Sequence, residues 1–218
     1  MEERILNKKK KYLMIFLAVN LIGIAVALFL ESQLGCDPIG LLCDGISKLL
    51  SIKFGIASFI YNLLIIGIAL LVARNNLGIG TIVYGLMSGF FIDFYQAIFS
   101  GFNLVSFGIE YRILAFIIGE LCMSAAFAIL MQLQLGMTAL DAVLVKIQKH
   151  IHVPYAFLKI GIDIIFVIIG TLWGGIFGIG TVISALITGI LVSKFVKLIE
   201  IIQMKMNKIE GCVVNEKI

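Results

Sequence analysis

The sequence predicts an all-α polytopic membrane bundle of six spans plus two short amphipathic or re-entrant helices, arranged as an inverted internal repeat. Three observations carry this reading. Apolar residues make up 61% of the 218-residue chain and charged residues only 14%, against about 45–50% and about 25% in a soluble domain. Mean hydropathy is +1.12. The apolar residues fall in six continuous runs, each near the roughly 20 residues needed to cross a hydrocarbon core. Such a composition excludes a soluble enzyme and a disordered chain. The net charge of +4 does not indicate nucleic acid, because Lys and Arg gather at segment ends and build no basic recognition helix.

The runs lie near residues 12–30, 54–73, 78–99, 111–133, 155–174 and 178–199. Backbone polarity forces each to be helical in lipid. Their length and unbroken apolarity exclude alternating barrel strands. The first run follows a basic stretch, Lys8 to Lys11, as a signal peptide would. It is longer than an h-region of about 7–15 residues and has no Ala-x-Ala site after it, so it reads as a retained span. After the last run, Phe195, Leu198, Ile201 and Ile202 alternate with Lys194, Lys197, Lys205 and Lys208. That pattern suits a helix leaving the membrane on a basic interface, with the final residues frayed.

Two stretches are too short to span. In 37–50, Asp37 caps and Pro38 opens a helix whose apolar face is Ile39, Leu42, Cys43, Ile46 and Leu49, with Asp44 turned away. In 138–150, Thr138 caps and Leu140, Val143, Leu144 and Ile147 form the face. Each either lies on the interface or dips into the bundle. Cys36, Cys43, Cys122 and Cys212 form no Cys-x-x-Cys pair and read as free thiols. No metal cluster and no cofactor motif is present.

Thirteen of the 17 Lys and Arg residues fall on one side if the N-terminus is cytoplasmic. Three fall on the other, and Lys159 lies within a span. This bias predicts a bacterial inner-membrane protein with both termini inside. One domain is expected, with halves 12–100 and 111–199 and a cytoplasmic tail, 200–218.

The halves are related by sequence. Leu77-Gly78-Ile79-Gly80-Thr81 recurs as Phe177-Gly178-Ile179-Gly180-Thr181, and Gln33-Leu34-Gly35 recurs as Gln134-Leu135-Gly136. Each half reads span, short helix, span, span. Three crossings is an odd number, so the second half enters the membrane inverted. The Gly-Ile-Gly-Thr starts serve helix packing, or expose amides to an anion.

Leu34-Gly35-Cys36-Asp37-Pro38, Phe54-Gly55, Gly78-Ile79-Gly80-Thr81 and Gly89-Phe90-Phe91-Ile92-Asp93 resemble the YitT/YczE-type bacterial membrane protein family. Leu135-Gly136, Asp141 and Gly178-Ile179-Gly180-Thr181 repeat the resemblance in the second half. The chain has Gly40 where that family commonly places an acid after the first proline. It has Ala139 where the second proline stands. The resemblance implies a multi-pass protein with transport as its activity and names no solute.

Charge at membrane depth costs about 2.5–3.5 kcal/mol and therefore marks function or pairing. Glu120 sits centrally in the fourth span, and Lys159 and Asp163 share a face of the fifth. By the repeat offset, Asn20 corresponds to Glu120 and Asn62 to Asp163. The four could converge on a midplane cavity for a small polar or cationic solute, with Glu120 or Asp163 carrying a proton. Alternatively, Lys159 and Asp163 neutralise each other and Glu120 bonds to Asn20 or Ser124. Asp37, Pro38, Gly78, Gly80, Thr81, Asp141, Gly178, Gly180 and Thr181 are the gating or structural candidates. Asp93, Glu110 and Arg112 read as an exposed ionic cluster, and Tyr12, Tyr111 and Tyr155 as interfacial anchors. The function expected is a secondary transporter, with a partner-binding accessory or sensing subunit as the alternative and no enzyme. The expected partners are lipid, a small solute and a proton. A homodimer is left open.

Overall fold

The computed structural model describes residues 2–102, 104–132 and 138–215, with side chains from 11 to 202 in those stretches save 76 and 79. The helices are α1 (Glu2–Ser32), α2 (Pro38–Leu50), α3 (Phe54–Val72), α4 (Ile79–Phe99), α5 (Ile109–Gln132), α6 (Ala139–Ile151), α7 (Tyr155–Leu172) and α8 (Ile179–Asn215). Among the described residues the structure is all-α. Six helices, α1, α3, α4, α5, α7 and α8, carry segments long and apolar enough to cross a bilayer. Their outer surfaces display large apolar side chains, Leu71 and Leu172 most fully, at 88% and 78% exposure. Such a belt is stable only against lipid, and the chain is a multi-pass membrane protein.

The α1–α5 pair forms the centre. Phe29 of α1 and Phe116 of α5 approach to 5.1 Å between ring centres. Gly119 makes the crossing close: a Cβ there would stand 3.1 Å from the Ala25 carbonyl oxygen. Around this axis the contacts recur in pairs. α1 packs on α4 as α5 packs on α8, α2 packs on α7 as α6 packs on α3, and α2 meets α3 as α6 meets α7. This is the internal repeat as a structure. Six crossings return the chain to its first side, so the start of α1 and the end of α8 share one face, here the terminal face. The turns at 33–35, 51–53 and 173–178 occupy the distal face.

α2 starts inside the bundle at Asp37 and climbs to the distal face at Ser51. Its left-handed C-cap, Ser51 at φ 53°, stops it there. Close approach fixes its path, because a Cβ on Gly45 would stand 2.6 Å from the Gly170 oxygen of α7. The expected faces of this helix need correction. Asp44 is buried, bonded to Lys48 Nζ at 2.9 Å and accepting from the Ile176 amide at 2.7 Å, whereas Leu49 is exposed. A helix packed between α3 and α7 cannot keep one wet side. Asp37 holds the N-cap position, its carboxyl set beside the Gly40 amide. Thr138 caps α6 as expected, accepting from the Asp141 amide at 3.2 Å.

The expected ionic cluster also dissolves. Arg112 donates to the Ser32 and Gln33 carbonyls at 2.7 and 3.2 Å, taking up the unpaired C-terminal carbonyls of α1. Asp93 accepts from the Gly55 amide. The tail, read as frayed, continues α8 as helix to Asn215, through Gly211 and with no proline to stop it. The Gln134-Leu135-Gly136 anchor lies outside the described residues. The side chains of Lys8 to Lys10, Lys205, Lys208 and Cys212 and residue Lys217 do so too.

Candidate functional site

All eight helices line one cavity of about 980 Å³ at the centre of the bundle. The short helices deliver their N-terminal ends to it: Asp37, Pro38 and Gly40 from α2, and Thr138, Ala139 and Asp141 from α6. Each end carries the positive pole of a helix, and each brings an acid. In α2 the acid is Asp37, before the first turn. In α6 it is Asp141, within the first turn. By the repeat offset these are different positions, Asp37 matching Thr138 and Gly40 matching Asp141, yet both halves supply one carboxylate.

Asp141 accepts one hydrogen bond at each oxygen, which leaves a lone pair on each. Tyr155 donates its hydroxyl to Oδ1 at 2.6 Å, and Thr138 donates to Oδ2 at 2.7 Å. Tyr155, read from sequence as an interfacial anchor, is therefore part of the site. Lys159 and Asp163, one turn apart on α7, pair at 2.6 Å on the same wall. Asn62 lines the opposite wall and is tied to the Ser58 carbonyl at 2.9 Å. The lining thus holds three carboxylates, Asp37, Asp141 and Asp163, against one ammonium, Lys159. Asp37 lies in the α1–α2 turn, where burial pushes its carboxyl up to about 6. The nearby Glu120 and Asp163 act in the same direction, and the Gly40 amide and Lys159 oppose them.

Glu120 is buried beside the cavity and reaches it through α8. Ser184 donates to its Oε2 at 2.9 Å, and Thr188 lies 2.6 Å from Oε1. Both hydroxyls line the cavity. Thr188 Oγ1 is also 2.6 Å from the Ser184 carbonyl, and a hydroxyl has one proton to give. With Glu120 ionised, that proton goes to the carboxylate. With Glu120 protonated, the acid donates to Thr188, which donates to the Ser184 carbonyl. The same heavy-atom geometry satisfies both states.

Of the residues singled out from sequence, Asp37, Pro38, Asn62, Asp141, Lys159 and Asp163 line the cavity, and Glu120 stands behind it. Asn20 does not join them. Its amide accepts from Tyr95 at 2.9 Å and donates to the Phe16 carbonyl at 2.7 Å, so α4 draws it away from Glu120. Neither Asn20 nor Ser124 is the hydrogen-bond partner of Glu120. The Gly-Ile-Gly-Thr segments lie outside the cavity and build helix starts. Thr81 accepts from the Gly78 amide at 3.3 Å. The Gly180 amide is spent on the Leu34 carbonyl at 2.8 Å. Gly178 also abuts Leu34, and Thr181 is buried against Gly35. This second start is thus closed over by the α1–α2 turn, against the anion-facing alternative. Sequence reasoning passed over Ser184 and Thr188. Their spacing of four, at positions equivalent to Tyr84 and Ser88, was the available signal.

A family model described as a family of unknown function, DUF6198, matches residues 9–197. The chain belongs to that family. An uncharacterized protein of Haemophilus influenzae is 25% identical over 182 residues, covering 84% of this chain and 81% of the relative. No solved structure matches. Membership therefore brings a multi-pass helical protein of unknown function, and the chemistry of this DUF6198 protein rests on its cavity.

Proposed function

We propose that this DUF6198 protein is a secondary permease for a small organic cation, bound at the cavity between the two short helices and exchanged for a proton on Glu120. The carrying observation is the charge balance of the lining, with three carboxylates against one ammonium. An anion would need free helix-start amides or unpaired cations. Here the helix starts already face Asp37 and Asp141, and Lys159 is already paired. A cation finds acceptors instead, and a buried carboxylate left short of charge compensation is worth several kcal/mol to such a ligand. The Glu120–Ser184–Thr188 cluster supports the proton role, since its heavy-atom geometry accommodates both protonation states with only hydroxyl protons turning.

In this reading the protein sits in a bacterial inner membrane with the terminal face cytoplasmic, as its basic residues favour. It carries out no covalent chemistry. It is a relative of the YitT/YczE-type proteins, with halves 12–100 and 111–199 working as one domain. An open central cavity favours a permease over an accessory subunit, whose centre would be filled.

The test is uptake by proteoliposomes of guanidinium, tetramethylammonium and a short diamine, beside glycerol and phosphate, with and without a pH gradient. Uptake of one or more cations that Glu120→Gln uncouples from the gradient supports the proposal. Uptake confined to phosphate or glycerol, or none above protein-free vesicles, removes it.

A further inference from the structure

The two halves share most of their helix contacts, and the largest exception lies across the cavity. α3 packs along α4, whereas their repeat counterparts α7 and α8 do not pack along each other among the described residues. The α3–α4 seam is shut by backbone. Gly55 and Gly89 lie so close that a Cβ on either would overlap the other's carbonyl oxygen. Asp93 of α4 then fastens the first turn of α3, its Oδ1 accepting from the Gly55 amide at 2.7 Å.

The matching positions on the other side are Ala156, Gly189 and Ser193. All three line the cavity. Gly189 has nothing within 4 Å of where a Cβ would stand, and Ser193 bonds back to its own helix, at the Gly189 carbonyl. The cavity thus reaches into the α7–α8 seam and is closed at the α3–α4 seam. Because the halves are inverted, the latched end of the shut seam lies at the distal face. Its open counterpart lies at the terminal face.

Related sequences here hold two arrangements of one helix pair. Packed interfaces switch between discrete arrangements, and repeats related by an in-plane axis can exchange theirs. One observation shows a cost in the present state, and a second shows what holds that state against it. Among the described residues, Tyr61 Oη and Ser88 Oγ are buried without a partner in the α3–α4 wall of the cavity, a penalty that opening this seam to water would lift. The latch is also unequal, a carboxylate at Asp93 and a hydroxyl at Ser193, which favours the shut α3–α4 seam at rest.

We propose that the α3–α4 seam is a second gate, latched by Asp93 on the Gly55 amide, and that it opens when α7 and α8 close. The gate's part in carrying a cation rests on the permease reading; the exchange of seams does not.

The test measures two distances in the full chain in liposomes, between spin labels on a ketone-bearing amino acid. One pair replaces Ile56 and Phe90, the other their repeat equivalents Phe157 and Ile190, all four exposed at present. Asp93→Ala should lengthen the first distance and shorten the second in the same fraction of molecules. Gly189→Leu, placed in open space, should leave the resting distances unchanged and cancel the effect of Asp93→Ala by obstructing α7–α8 closure. A first distance that lengthens while the second stays fixed overturns the proposal. So does no change in either, or a shift that persists in the double variant. Guanidinium uptake by the same vesicles separates the two readings. Exchange of distances without uptake keeps the gate and removes the permease. Uptake with fixed distances removes the gate.

Discussion

Glu120 of α5 and Thr188 of α8 stand 2.6 Å apart, and this contact ties the buried acid to the cavity wall. Ser184, one turn earlier on α8, takes the other carboxylate oxygen. Replacing Thr188 with valine keeps the shape and removes a donor. Thr188→Val should lower stability by about 1–3 kcal/mol, the penalty of an under-bonded buried group. It should also slow proton-driven uptake, while Ser100→Ala, exposed and bonded only to the Ala97 carbonyl of its own turn, changes neither. Denaturation in detergent and uptake in vesicles measure the two effects.

Lys159 and Asp163 pair at 2.6 Å, with side chains 31% and 19% exposed. Removing one partner strands the other, whereas removing both does not. Lys159→Met should therefore be less stable than the double variant Lys159→Met/Asp163→Leu, read as the order of their melting temperatures. The double variant removes one charge of each sign, leaves Asp37 and Asp141 in the lining and should still take up guanidinium.

Asp37 titrates near 6, raised by burial, with Glu120 and Asp163 acting in the same sense and Lys159 against them. A raised acid is neutral below that value and charged above it. Apparent affinity for guanidinium should then climb as pH passes from about 5 to about 7. Asp37→Asn should flatten that rise. An unchanged profile in Asp37→Asn would take Asp37 out of the binding site.

Tyr155 donates to Asp141 across the start of α6, at 2.6 Å. Tyr155→Phe keeps the ring and frees a carboxylate oxygen for the solute. We expect a small loss of stability, about 0.5–1.5 kcal/mol, with altered KM for guanidinium and a similar maximal rate. A fall in rate at constant KM would contradict a binding role for Asp141.

Gly170 lies where α2 crosses α7, and a Cβ there would stand 2.6 Å from the Leu41 carbonyl oxygen. Gly170→Val should push α2 outward, at a cost of about 1–3 kcal/mol. Gly161, with nothing within 4 Å, should accept alanine without loss. Melting temperatures of the two variants compare them directly.

Much of this architecture is legible in the sequence because hydrocarbon thickness dictates span length. The run at 54–73 became α3 at Phe54–Val72, and Thr138 capped α6 where its position required. Hydropathy places a residue in depth but not around the helix axis. Glu120 was therefore found as a buried acid, while its partners Ser184 and Thr188, 64 and 68 residues away, were not. Asn20 sits at the expected repeat position and turns instead to Tyr95, because side-chain bonding need not follow the repeat. The burial of Asp44 depended on the Ile176 amide, 132 residues away, which no local pattern encodes.

The most direct test of the account is uptake of guanidinium against urea by the same proteoliposomes, since the two share shape and differ in charge. The account predicts that guanidinium accumulates, urea does not, and the double variant Asp37→Asn/Asp141→Asn, which leaves only the neutral Lys159–Asp163 pair in the lining, abolishes the difference. Equal entry of both, or guanidinium uptake intact in that double variant, would contradict it.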